Sequence, residues 1–344
     1  MMKDAAVDNS MMSCGICVEP GQFALIDRPR PTTAPPGQVL VDIQAVGLCG
    51  TDYHILQGKH PYLEYPRVIG HELSGRVVAD RGRFRAGELV VINPYLSCGD
   101  CHACRRGKPN CCENISVLGV HGDGGMCARI AVPEGNLYSA EGLGPLQAAM
   151  VEFLAIGAHA VARSGIGKGD RVLVTGAGPI GIGVALFARI AGAEVHLLDV
   201  SRTRLGMVKE RFGFSHVHQV GEPMLYGDLS SGFDAVFDAT GNRIAIEAGF
   251  QYLAHGSTYV LVSVVKDDIR FSDPEFHKRE TRIIGSRNAL DADFRHVMQA
   301  MREGRIDCDA LCSEVIDLAD LPGRFAELAE NRDSLIKAIV TGLA

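Results

Sequence analysis

Residues Arg171-Val172-Leu173-Val174-Thr175 form an apolar run that ends in Gly176-Ala177-Gly178-Pro179-Ile180-Gly181, and a second apolar stretch follows from Ile182 to Ala191. The first reads as a buried strand and the second as a helix, so the glycines sit in a strand-to-helix turn. After Gly192 comes another strand, Glu194-Val195-His196-Leu197-Leu198, closed by Asp199. A lone Gly-x-Gly-x-x-Gly pattern is weak. Placed between strand and helix, with an acid closing the next strand, it has the full context of a dinucleotide site. Gly176 makes the tight turn, Gly178 admits a pyrophosphate, and Gly181 lets helix and sheet approach. Pro179 and Ile180 lie in the turn and are grouped with the cofactor residues, and the N-terminus of the helix that follows favours phosphate charge. Asp199 would accept hydrogen bonds from ribose hydroxyls and repel a 2′-phosphate, which favours NAD over NADP. Arg202 and Arg204 stand close enough to bear on that choice, and Arg204 is grouped with the cofactor residues.

This feature commits the second half of the chain to alternating strands and helices. Helices are expected over Arg202–Phe212 and Ile244–Leu253, and strands over Phe233–Ala239, Thr258–Val264 and Arg282–Ser286. That is the rhythm of a parallel sheet covered on both faces. The tail, with a helix over Leu321–Glu330 and a strand over Ile336–Val340, lacks the βαβ continuation and is expected to return to the first domain. Arg287, at a strand end, would face the cofactor crevice or be a plain surface arginine.

The first part has a different grammar. Short alternating runs such as Val39–Ile43, Gly75–Val78 and Leu89–Ile92 are separated by Pro- and Gly-rich turns, which marks an all-β module. Within it, Val46-Gly47-Leu48-Cys49-Gly50-Thr51-Asp52-Tyr53-His54 follows a strand and opens a short helix. Ile69-Gly70-His71-Glu72 follows a second strand, and Gly70 would let the backbone turn so that His71 projects. Further on, Glu152 interrupts the helical run Ala148–Ala155; it lies either on an exposed face or in a paired or metal-bound setting, because burying a lone carboxylate is costly. Leu118–Gly125 is a glycine-rich loop without a following helix, so it is not read as a phosphate loop. His121 within it either lines a pocket or is an ordinary loop histidine.

Five of the chain's 11 cysteines lie between Cys98 and Cys112. Cys98, Cys101 and Cys104 recur every third residue in a loop that Gly99 and Gly107 allow to curl, and Cys111 or Cys112 would supply a fourth sulfur. Four thiolates closing a tetrahedral shell make a structural zinc site with no room for substrate. Without a signal-peptide core in residues 1–12, which read as a short extension, a reducing compartment is expected, and disulfides are not.

The chain of 344 residues is long enough for two domains, and its 47% hydrophobic and 22% charged content is that of a globular protein. A net charge of -7 argues against nucleic acid or anionic membranes as partners. No apolar run reaches the length of a spanning helix.

Together these residues resemble the zinc-dependent medium-chain alcohol/polyol dehydrogenase family, and the likeness runs from Cys14 to Ala344. The carrying motifs are Gly47–Asp52, Gly70-His71-Glu72, the four-cysteine lobe, Glu152 and the Gly176–Gly181 turn. The branch is that of sorbitol and threonine dehydrogenases, since other alcohol dehydrogenases carry cysteine where Glu152 stands. Short segments at Lys108–Asn110, Val117–His121 and Gly285–Asn288 resemble bacterial gulonate- or galactonate-type 5-dehydrogenases.

The resemblance implies a GroES-like β-rich catalytic domain over residues 13–155 and 292–344, and a Rossmann doubly wound parallel-sheet domain over 156–291. It implies two zinc ions per chain. One would be held by Cys49, His71 and Glu152, the other by Cys98, Cys101, Cys104 and Cys112, with Cys111 a bystander. Thr51 and His54 would carry the proton, Asp52 would orient His71, and Glu72 would sit beside the metal. Hydride would pass from a secondary alcohol of a sugar acid or polyol to NAD, with His121 and Arg287 as substrate contacts. A cytoplasmic homodimer or homotetramer is expected. L-Threonine or sorbitol oxidation is the competing enzymatic reading, and an NAD-binding regulator the non-enzymatic one.

Overall fold

The computed structural model describes residues 10–60, 63–224 and 227–343. Its first stretch runs β1 (Met11–Glu19), β2 (Gln22–Pro29), β3 (Gln38–Leu48), α1 (Gly50–Leu56), β4 (Arg67–Val68), β5 (Glu72–Val77), β6 (Leu89–Ile92), β7 (Tyr95–Leu96), α2 (His102–Arg105), β8 (Ser116–Val117), β9 (Arg129–Pro133), β10 (Leu137–Ser139) and α3 (Pro145–Ala149). The second runs α4 (Val151–Ser164), β11 (Arg171–Thr175), α5 (Pro179–Ile190), β12 (Glu194–Asp199), α6 (Arg202–Phe212), β13 (His216–Gln219), β14 (Phe233–Asp238), α7 (Arg243–Gly249), β15 (Leu253–Leu261), α8 (Asp273–Arg279), β16 (Arg282–Gly285), α9 (Asp291–Arg302) and α10 (Cys308–Leu311). The chain closes with β17 (Cys312–Asp317), α11 (Leu321–Glu330) and β18 (Lys337–Thr341).

Two compact units result: residues 1–107, 112–151 and 312–344 in one, and residues 108–111 with 152–311 in the other. In the first, strands pair in the order β10-β6-β5-β3-β18-β17, with β9 also on β3. Alternation along β3 buries Val39, Val41 and Ile43 against Leu73, Val90, Phe325 and Val340 in one continuous core. In the second, β13-β12-β11-β14-β15-β16 form a parallel sheet, and Leu173, Val236, Phe233 and Tyr259 anchor its core. This is the β-rich unit plus doubly wound parallel sheet that the patterns imply.

Three local expectations change. The tail does contain a βαβ unit, because β17 and β18 are parallel and joined through α11. Its strands extend the first unit's sheet through β18 on β3, so the return to that unit stands. The sequence Cys312–Asp317 is half polar, which hid β17 as a sheet-edge strand. Met11 and Met12 open β1, paired with Pro29 and Arg28, where an extension was expected; residues 1–9 lie outside the described residues. The helical run read over Ala148–Ala155 is divided between two helices, α3 and α4, with Met150 as the C-cap of α3.

Candidate active site and metal centres

The site is built on the end of β3. Antiparallel pairing sets Gly47 opposite Glu72 of β5, and on the other side Gly47 faces Ile339 and Leu48 faces Ala338 of β18. That register delivers Cys49, His71 and Glu72 to one place: their ligand atoms all lie within 4.8 Å of one another. Cys49 Sγ is 3.0 Å from His71 Nε2.

Cys49 is also the N-cap of α1. Its sulfur accepts the Thr51 amide proton at 3.2 Å, and its own amide donates to Asp52 Oδ2 at 3.0 Å. The helix therefore starts on Cys49, with the Thr51 amide turned to its sulfur. Burial pushes the Cys49 thiol up, against the pull of His71. Asp52 is buried and places Oδ1 3.8 Å from His71 Nδ1, near enough to orient the ring electrostatically. A thiolate, an imidazole and a carboxylate converging in this way match the donor set of zinc.

Glu72 carries a partner that sequence reasoning missed. Lys337 Nζ donates to Glu72 Oε1 at 2.7 Å and to the Leu48 carbonyl at 3.2 Å, and both charged side chains are fully buried. A lysine opening the otherwise apolar run Lys337-Ala338-Ile339-Val340 was the available signal. Gly47 makes the space: a Cβ there would stand 2.2 Å from Glu72 Oε2.

Glu152 lies in the first turn of α4, buried, in the second compact unit. It is not part of the group that the structure gathers around Cys49. Thr51 is half-buried, and His54 is one helical turn from it on the exposed side. Partial desolvation, then Arg332 and Lys59, hold the His54 imidazole below its ordinary value. His121 is exposed and its Nδ1 accepts the Val117 amide proton, which secures the turn of its own loop. The glycines of that loop serve packing: a Cβ on Gly124 would lie 2.3 Å from the Gly70 carbonyl oxygen, and Gly125 donates to that same oxygen. The loop thereby braces the backbone just before His71.

Cys98, Cys101, Cys104 and Cys112 form a second group within the same distance limit, with Cys98 and Cys112 sulfurs 3.5 Å apart. The Glu113 and Cys104 amides lower the Cys101 thiol to about 6, while desolvation and the Cys101 sulfur push Cys104 up to about 12. Sulfurs so close fit a shared cation, since Zn–S bonds of about 2.3 Å place tetrahedral sulfurs a little under 4 Å apart. Cys111 is exposed and outside the group.

In the second unit, Gly178 caps α5 and Gly181 lies so close to the turn that a Cβ would meet the Gly176 carbonyl oxygen at 1.7 Å. Pro179 and Ile180 form the first turn of α5. Asp199 is buried, accepts the Ala177 amide proton at 2.6 Å and that of Ser201 at 2.7 Å, and has Arg204 Nη1 3.9 Å away. The carboxylate is thus locked to the turn that it was expected to complement. Arg287, exposed just after β16, has its carbonyl bound by Asn110, which also meets His159.

Residues 35–142 match the alcohol dehydrogenase GroES-like domain and residues 179–303 match zinc-binding dehydrogenase. The chain belongs to the zinc-binding alcohol dehydrogenase family. It is 40% identical over 342 residues to L-galactonate-5-dehydrogenase of Escherichia coli strain K12, covering 96% of this chain and 99% of that one. A solved short chain alcohol dehydrogenase from Escherichia coli CFT073, complexed with NADH, superposes with a TM-score of 0.90 at 27% identity, over 97% of this chain and all of that one. A putative zinc-binding dehydrogenase from Sinorhizobium meliloti 1021, bound to NADP, gives 0.87 at 27% identity with the same coverage. This dehydrogenase is therefore a zinc- and nicotinamide-dependent oxidoreductase of the medium-chain polyol type.

Proposed function

We propose that this dehydrogenase oxidises a secondary hydroxyl of a sugar acid to the ketone, with NAD as acceptor. The convergence of Cys49, His71 and Glu72 at the end of β3 carries the reading. The 40% identity to L-galactonate-5-dehydrogenase supports the substrate class. Zinc supplies Lewis acidity toward the substrate hydroxyl, and the nicotinamide supplies the hydride acceptor.

The chain's own residues do the rest. Thr51 accepts the hydroxyl proton and His54, one turn on, exchanges it with solvent. Asp52 holds the orientation of His71 through its far nitrogen. Glu152 is carried as the third metal ligand that the resemblance implies, and Glu72, tied to Lys337, is the carboxylate gathered beside Cys49 and His71. Arg287, whose guanidinium has no partner among the described residues, takes the substrate carboxylate in a bidentate pair. Asp199 selects NAD by accepting hydrogen bonds from the ribose hydroxyls and repelling a 2′-phosphate.

Eleven free cysteines suit a reducing cytoplasm, and no described helix is long and apolar enough to cross a membrane. We read the enzyme as a homo-oligomer, which sedimentation would test. Initial rates with NAD and with NADP on a panel of aldonates, polyols and L-threonine test the reaction itself. Preference for an aldonate with NAD is expected; faster polyol or threonine oxidation overturns the substrate class, and no turnover on any of them favours a regulator.

A further inference from the structure

A third group of metal-ligating side chains lies in the second unit, away from every residue used above. Glu194 and His196 are two apart on β12, so they share one face of the sheet. Parallel pairing places His216 of β13 directly beside His196. Glu194, His196 and His216 bring their ligand atoms within 4.8 Å of one another. His196 Nε2 is 2.9 Å from Glu194 Oε1, and the His196 and His216 rings stack with centroids 4.5 Å apart. On the other side, His196 Nδ1 lies 2.9 Å from His218 Nε2.

We propose that Glu194, His196 and His216 bind a divalent transition cation of the zinc or nickel type. Two imidazoles and one carboxylate are donors that such ions accept, while magnesium and calcium prefer all-oxygen shells. His218 acts as the outer partner: in the tautomer in which His196 Nδ1 donates to His218 Nε2, His196 Nε2 carries the lone pair that a cation takes, in place of the hydrogen bond it otherwise gives Glu194 Oε1.

The three residues open on a cavity of about 500 Å³ that Arg171, Asp228 and Leu229 also line. Arg171 is the competing charge, but its guanidinium donates to the Asp228 carbonyl. Glu194, His216 and Arg171 are the first residues of their strands, whereas Gly176 follows the last residue of β11. The site thus sits at the edge of the sheet opposite the dinucleotide turn, roughly 15 Å away along the strands. It would tie edge strand β13 to β12 and leave the chemistry untouched.

The inference is independent of the substrate reading. Zinc-replete, desalted enzyme is titrated calorimetrically with nickel chloride, and its melting is followed with and without nickel. The wild type should take up one further equivalent and melt at a higher temperature when loaded. His216→Asn and Glu194→Gln, both at exposed positions, should weaken that uptake by at least about tenfold, as lost ligands do, and abolish the melting shift while turnover stays unchanged. If the wild type takes up no further metal, or the variants bind it equally well, the site is a hydrogen-bonded histidine cluster and the proposal fails.

Discussion

Lys337 Nζ and Glu72 Oε1 meet at 2.7 Å with neither side chain exposed, joining the first residue of β18 to the first residue of β5 across β3. The pair fixes a carboxylate next to Cys49 and His71. Breaking one half of a buried pair strands the other charge, at a cost of about 3–5 kcal/mol. Lys337→Met should therefore lower the unfolding free energy of this unit by that order in urea titrations. The double variant with Glu72→Gln should recover most of the loss; a single variant as stable as wild type would contradict the pairing.

Cys49→Ser should lower kcat/KM by more than about 100-fold, beyond the 10–100-fold typical of residues that only support a ligand. Metal analysis should show the loss of one zinc per chain, and fluorescence titration should show NADH binding close to wild type. Glu152→Ala and Glu72→Ala separate the two carboxylates: Glu152→Ala should lose zinc, whereas Glu72→Ala should retain it. The reverse outcome would assign the third ligand to Glu72.

His54 must be neutral to accept a proton, and its imidazole is held below the ordinary 6.5. As pH falls through that lowered value the imidazole charges and the relay stops. The acid limb of kcat/KM should accordingly lie below 6.5, with full activity above it. His54→Asn should slow turnover by roughly tenfold or more, the lower range for losing a proton carrier, and remove that limb. An unchanged pH profile would take His54 out of the relay.

Asp199→Asn keeps the shape of the side chain but removes its charge. Hydrogen bonds to a charged group are worth about 1.5–3 kcal/mol, so the preference for NAD over NADP should fall by roughly 10–100-fold. Arg204, close to Asp199, would then be released to a 2′-phosphate. The ratio of kcat/KM values for the two cofactors is the measurement.

Features that depend on neighbours in the chain were readable from the sequence. The Gly176–Gly181 turn needs only the strand before it and the helix after it, and the curl from Cys98 to Cys112 spans a single loop. Both forms follow from local backbone geometry and donor chemistry. Cys49 and His71 were grouped through family resemblance, because 22 residues separate them and each alone is unremarkable.

Sequence by itself determined the two-part architecture, the dinucleotide turn and the four-cysteine loop, since periodicity, glycine placement and cysteine spacing are properties of short segments. Tertiary structure decided which donors share a point. Lys337 reaches Glu72 across 265 positions because strand register places β18 and β5 on either side of β3. Register likewise set His216 beside His196 and turned scattered histidines into a cluster. A one-residue slip in either pairing would turn those side chains to the opposite face, so only the assembled sheet could specify the contacts.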